Sequence, residues 1–159
     1  MKIAYQGIAG SYSESCAKEN YPDCKTIPCK TFDECFEKAN EDSSVKAIIP
    51  ESNKTTGNIG VEYLIFKYRL NIYAEHFFPI NHNLLVLPES KISDIKNVYS
   101  HAQALSQSSN FIKKNKFNEN VRADTAGSAK YVSEARDITK GAIASKLSAK
   151  IYNLKIIDS

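Results

Sequence analysis

The sequence predicts an α/β protein of two small lobes, with mainly parallel sheets and an interlobe cleft. Three observations lead there. Strand-like and helical stretches alternate, polar loops sit where strand gives way to helix, and two strand-like runs meet at Pro79 with no helix between them. Alternation is the pattern of strand–helix–strand units, which pair their strands in parallel. A strand-to-strand junction at a proline suits a chain leaving one sheet for another. It sets the lobes at about 1–77 and 78–159.

Apolar or β-branched runs place strands at 2–5, 25–28, 45–50, 70–78, 82–88, 97–100, 121–123, 141–145 and 154–157. Helical spacing places helices over 11–20, 31–39, 59–68, 102–113, 127–134 and 146–152. Two of these helices open on a capping-box spacing, Ser11 with Glu14 and Thr31 with Glu34.

The 159 residues are 42% hydrophobic and 25% charged, ordinary for a globular chain. A net charge of +3 with scattered cations gives no footprint for nucleic acid. The densest basic group, Lys113, Lys114 and Lys116, reads as a solvated helix end. No stretch approaches the ~20 apolar residues of a membrane span. The first residues lack the apolar core of a secretion signal, so a cytoplasmic location is expected. The four cysteines, Cys16, Cys24, Cys29 and Cys35, form no C-x-x-C pair and read as reduced, partly buried thiols.

Four strand-to-helix junctions carry the candidate chemistry. In the first, Gly7 and Gly10 precede Ser11, Tyr12 and Ser13. A glycine-permitted turn at a helix N-terminus suits an anion. The stretch lacks both the Gly-Lys-Ser/Thr end of a Walker loop and a G-x-G-x-x-G fingerprint, so carboxylate fits better than phosphate. The second runs from Pro50 through Ser52, Asn53, Thr55 and Thr56 to Gly57. The third holds Ser100, His101 and Gln103, and the fourth Asp124, Thr125, Gly127 and Ser128. Each alone is equally a plain cap or solvated loop. Together they suit a small polyanion, and no carboxylate pair, metal-ligand cluster or Ser-His-Asp order accompanies them.

Taken in order, these residues resemble the catalytic domain of prephenate dehydratase. The family's G-x-x-G-S/T-F/Y-S/T is similar to residues 7–13, its P-x-E-N-S to Pro50 through Lys54, and its P-I-x-H-N-L to Pro79 through Leu84. S-H-P-Q-A-L-x-Q is similar to Ser100 through Gln107, S-T-A-x-A-A to Asp124 through Ala129, and A-A-I-A-S…Y-x-L to Gly141 through Ser145 and Tyr152 through Leu154. The resemblance implies a fold related to type II periplasmic binding proteins. It also implies a cofactor-free conversion of the dianion prephenate to phenylpyruvate, water and carbon dioxide. Asn53 and Thr125 are then the candidates for hydrogen bonding at the reacting ring. Gly10, Ser11, Tyr12 and Ser13 would cradle a carboxylate; Thr55, Gly57, Ser100, His101, Gln103 and Gly127 would complete the substrate contacts.

The departures are specific. Ser52 stands where the family has its acid, Lys54 where it has serine, and Asp124 where it has the serine before Thr125. A negative charge at Asp124 near a dianion calls for an offset from Lys54 or Arg122. Within the 159 residues nothing matches the family's N-x-T-R-F-like return segment or its ACT domain, so feedback by phenylalanine through such a domain is not expected. A homodimer is expected to cover the surface that the return segment would pack. Two readings follow: a dehydratase of prephenate, with arogenate as a variant substrate, or a catalytically impaired module of the same fold that binds a small carboxylate.

Overall fold

A computed structural model describes residues 1–53 and 57–158. The chain divides into two compact units, the first comprising Met1–Ile8 and Ser13–Phe78, the second Ala9–Tyr12 and Pro79–Ser159.

In the first unit, β1 (Lys2–Gln6), α1 (Tyr12–Asn20), β2 (Lys25–Cys29), α2 (Phe32–Glu41) and β3 (Val45–Ile48) follow one another, with α1 beginning at the last residue of the short segment grouped with the second unit. A hairpin of β4 (Ser52–Asn53) and β5 (Gly57–Asn58) leads to α3 (Glu62–Tyr68). The sheet order is β2-β1-β3, all parallel. The central strand buries three consecutive residues, Ile3, Ala4 and Tyr5, as a parallel strand covered on both faces must. Pro28 is tolerated in β2 because that strand is an edge, where a missing N–H leaves no ladder bond unmade. Thr31 caps α2 by accepting from Glu34 N at 3.1 Å, and the Glu34 carboxylate reaches back to Lys30 N at 2.7 Å. Phe36, Val61 and Leu64 form the contact between α2 and α3.

The second unit contains β6 (Asn83–Val86), β7 (Asn97–Ser100), α4 (Ala102–Gln107), α5 (Ser109–Asn115), β8 (Asn118–Val121), α6 (Thr125–Ala135), β9 (Lys140–Ala144), α7 (Lys146–Ile151) and β10 (Lys155–Asp158). Its sheet runs β10-β6-β9-β7-β8, with β9, β7 and β8 parallel and β6 antiparallel to both its neighbours. Alternate residues of β6 enter different cores. Leu84 and Val86 join Val98, Leu105 and Ile112, whereas Leu85 and Leu87 join Ala129, Val132 and Ala149. The period of two thus buries both faces of one sheet under two helix layers.

Several expectations are corrected. Residues 70–82 form neither helix nor strand, although 70–78 alternates like one. A strand exists only with a ladder partner, and Ile72, Tyr73 and Phe77 instead stand 76%, 74% and 93% exposed. The strand expected at 121–123 is β8, three residues earlier. It is a polar edge strand with no buried face, so hydrophobic periodicity passes over it. The helix expected over 102–113 breaks at Ser108, where φ −99° and ψ 9° leave the helical region. The helix expected from residue 59 starts at Glu62, because Gly57 and Asn58 pair in the hairpin.

The thiols of Cys16, Cys29 and Cys35 are buried, which raises their pKa values and leaves them protonated and inert. No helix among the described residues is long and apolar enough to cross a membrane.

Leu85, fully buried at the centre of the second unit, gives a direct test of packing. Leu85→Ala should cost about 2–5 kcal/mol in denaturant unfolding. Acid should also destabilise the chain. Hydrogen bonds from the Ser44 hydroxyl and backbone N–H, together with Lys2, hold the Asp42 carboxyl down at about 2. Lys67 and then Tyr68 lower Asp33, and the Thr139 N–H and hydroxyl lower Asp137. Depressed carboxyls stabilise the fold above their unfolded pKa near 4, and that contribution disappears as pH falls through the folded values. Tm should therefore drop between about pH 4 and pH 2; a flat Tm across that window would contradict these pairings.

Candidate active site

The turn after β1 is held by hydroxyls of the second unit's last helix. Gly10 sits at φ +93°, a conformation L side chains rarely adopt, and its carbonyl accepts from Ser145 Oγ at 2.6 Å and Ser148 Oγ at 2.9 Å. Tyr152 donates its phenolic proton to Ala9 O at 2.7 Å. Ser145 also caps α7, accepting from Ser148 N at 3.0 Å. Peptide planarity does the rest: with both carbonyls turned to α7, the trans amide N–H groups of Gly10 and Ser11 turn away from it. Ser11, Tyr12 and Ser13 follow, all half-buried.

The Tyr12 hydroxyl lies 3.0 Å from Asn81 O and 2.8 Å from His82 Nδ1. On the other side of the ring, His82 Nε2 is 2.7 Å from Gln107 Oε1. A carbonyl oxygen accepts only, so a neutral imidazole here carries its proton on Nε2 and accepts from Tyr12 at Nδ1. Burial raises the Tyr12 phenol far above its ordinary value and keeps it neutral. Its proton is engaged within the second unit, so in this conformation Tyr12 offers a carboxylate no donor.

Ser100 ends β7 fully buried, its hydroxyl donated to Ile143 O at 2.6 Å. It braces β7 against β9 and presents nothing to solvent in this conformation. His101 is exposed and caps α4, its Nδ1 accepting from Gln103 N at 3.3 Å. Gln103 is half-buried, with an Nε2 that has no acceptor among the described residues. Arg122 N donates to Ser100 O at 2.8 Å, which sets the start of the α6 junction beside the end of β7.

At that junction Asp124 caps α6, its carboxylate accepting from Gly127 N at 2.5 Å. A Cβ on Gly127 would lie 2.9 Å from Asp124 Oδ2, so the cap needs glycine there for close approach. Thr125 opens the helix, half-buried. Arg122, Ala123, Asp124 and Gly127 line a cavity of about 140 Å³. The Arg122 guanidinium stacks 4.2 Å from the centre of the Tyr131 ring, a cation–π contact that holds it at the cavity's edge. Asp124's negative charge is therefore met by its own helix N-terminus.

Asn53 and Gly57 belong to the first unit and pair across the β4–β5 hairpin, Asn53 half-buried and Gly57 exposed at φ +75°. Thr55 and Lys54 lie outside the described residues. Among the described residues no group of His, Cys, Asp and Glu is arranged to hold a metal ion. Sequence reading missed the ties among these parts: His82 between Tyr12 and Gln107, and Ser145, Ser148 and Tyr152 on the Gly10 turn. Of these, only the Ser145 cap had a signal, a serine directly after an apolar strand.

Each of the two units is an α/β fold, and the strand-to-helix junctions of the second carry hydroxyls, amides and a stacked guanidinium. The particular family is shown by comparison: the model of the prephenate dehydratase family matches residues 3–159, and the chain belongs to that family. It is 40% identical over 158 residues to arogenate dehydratase/prephenate dehydratase 1, chloroplastic, of Arabidopsis thaliana, covering 99% of this chain and 40% of that protein. Among solved structures, the prephenate dehydratase of Staphylococcus aureus superposes with a TM-score of 0.82 at 26% identity, over 99% of this chain and 60% of its own. GqqA, described as a novel type of quorum-quenching acylase, superposes with a TM-score of 0.93 at 30% identity, over 99% of this chain and 58% of its own. The chain spans about 40% of the length of the curated relatives it matches. The cytoplasmic expectation is corrected by the same comparison, since relatives at 37% and 40% identity are named as chloroplastic. That expectation rested on the first few residues alone.

The Gly10 turn can be tested directly. Gly10→Ala meets both a positive φ and a Cβ contact of 2.5 Å to Ser148 Oγ. It should destabilise the protein by about 1–3 kcal/mol in thermal unfolding. Adding Ser148→Ala should relieve only part of that loss, because the Ser148 Cα would still lie 3.0 Å from the new Cβ.

Proposed function

We propose that this chain catalyses the decarboxylating dehydration of prephenate to phenylpyruvate, in the biosynthesis of phenylalanine. The observation that carries the reading is the family match over residues 3–159. The chemistry is redox-neutral. The bond to the ring carboxylate breaks and releases carbon dioxide, its electron pair enters the ring, and the ring hydroxyl departs with one added proton as water. Aromaticity is restored, and no cofactor is called on. What the protein supplies is orientation of a dianion and a hydrogen bond to the departing oxygen.

In this reading Thr125 and Asn53 hydrogen-bond at the reacting ring. Thr125 is suited because its hydroxyl opens α6, where the helix dipole favours developing negative charge on a departing oxygen. The backbone at Gly10 and Ser11, with Ser13, receives a carboxylate, Gly57 extends the contacts from the hairpin, and Thr55 is a further substrate contact. Arg122 offsets Asp124. His101 and Ser100 hold the α4 junction in shape, and Gln103 contributes its amide donor. We also propose a homodimer; the exposed Tyr63, Phe66 and Phe77 of the first unit support an assembly contact. Arogenate is the second reading, favoured because relatives such as arogenate dehydratase 2 of Petunia hybrida, 39% identical, bear that name.

Incubation of the purified chain with prephenate, and separately with arogenate, decides among these readings. Phenylpyruvate from the first supports a prephenate dehydratase, and phenylalanine from the second an arogenate dehydratase. Thermal stabilisation without turnover would replace both with the small-carboxylate-binding module. Thr125→Ala should lower kcat by about 10²–10⁴-fold, with Thr125→Ser retaining most activity. Asn53→Ala should abolish turnover with Tm unchanged; turnover at the parent rate would remove Asn53 from the site.

A further inference from the structure

We propose that His82 is a positioning residue for this reaction: held through Nε2 by Gln107, it fixes the Tyr12 phenol through Nδ1 and thereby the turn that receives the carboxylate. The proposal rests on the dehydratase reading above. Sequence places His82 in none of the four polar junctions; tertiary structure brings Tyr12 and Gln107, from two separate helices, onto its ring.

The geometry leaves the imidazole little freedom. Its two nitrogens are engaged at 2.8 Å and 2.7 Å, and its ring meets the Tyr12 ring edge-on, with centroids 5.6 Å apart and planes at 72°. Gln107 sets the tautomer, and the tautomer sets the direction of the Tyr12 hydroxyl, because Nδ1 can then only accept. Asn81 O, 3.0 Å from the same hydroxyl, shares that proton. Tyr12 stands two residues after Gly10, whose carbonyl is fixed by Ser145 and Ser148. The turn is thus clamped at both ends, by α7 at Gly10 and by His82 at Tyr12, and Ser11 lies between. The carboxylate assigned to this turn is the side-chain one, which does not leave, so a clamp there acts on ground state and transition state alike. Its loss should weaken substrate binding and leave the chemical step nearly untouched.

The test combines kinetics with a direct view of the ring. ¹⁵N NMR of the imidazole should show the Nε2–H tautomer for His82 in the parent chain. His82→Ala should raise KM for prephenate about threefold to tenfold, the equivalent of one net hydrogen bond, with kcat nearly unchanged. Tyr12→Phe should do the same, and the double variant should be no worse than either single one. His82→Asn, whose side-chain carbonyl can stand in for Nδ1, should restore most of the affinity. His82→Gln, which can reach Gln107 but not Tyr12, should not. An Nδ1–H tautomer, additive effects of the two substitutions, or a fall in kcat with KM unchanged would each overturn the role. A parent chain that neither binds nor converts prephenate would overturn the dehydratase reading and the role with it. Parent turnover combined with any of those three results would remove the role alone.

Discussion

One backbone carbonyl, that of Gly10, receives two serine hydroxyls, and much of the proposed site depends on that convergence. Ser145 and Ser148 come from the cap and first turn of a single helix, so their spacing is set by helix geometry and not by flexible side chains. Two donors on one oxygen fix a peptide plane. The neighbouring Ala9 carbonyl, held by Tyr152, fixes the next. Glycine is required where this happens because both the backbone angle and the packing of Ser148 exclude a side chain. The result is a turn rigid before any ligand arrives, and a preorganised site loses less on binding.

The helix N-termini in the second unit are less open than an anion-binding scheme built on sequence suggests. His101, Asp124 and Ser145 each accept an amide from their own first turn. A capped amide is not available to a ligand without displacing the cap. In the proposed reading, anion recognition draws on the backbone of the Gly10 turn, on the stacked Arg122 and on neutral hydroxyls and carboxamides. Such a set can orient a dianion without neutralising it, which suits a reaction in which one carboxylate must leave with its electron pair behind.

The architecture of the two sheets shows how far local pattern reaches. Buried strands such as β1, β6 and β9 announce themselves by consecutive apolar residues, and the caps of α2 and α7 by Thr31 and Ser145 ahead of apolar turns. A polar edge escapes the same reasoning. β8 is polar because only its backbone is needed, and 70–78 alternates without becoming a strand because no partner ladder is there to receive it among the described residues. The site divides in the same way. Glycines and hydroxyls mark the junctions, but only contact geometry separates Ser100, whose hydroxyl is given to Ile143, from residues able to meet a substrate.

The sequence by itself determined the alternation of strand and helix, the positions of the glycine turns and the order of motifs that ties the chain to its family. These depend on residue type and spacing, which act over a few neighbours. Tertiary structure alone decided which hydroxyls are engaged, which tautomer His82 carries and what holds the Gly10 turn. Ser145 and Ser148 stand 135 and 138 residues from Gly10, and His82 stands 70 from Tyr12. Hydrogen bonds across such separations exist only once the strands between them have paired, so no local pattern can announce them.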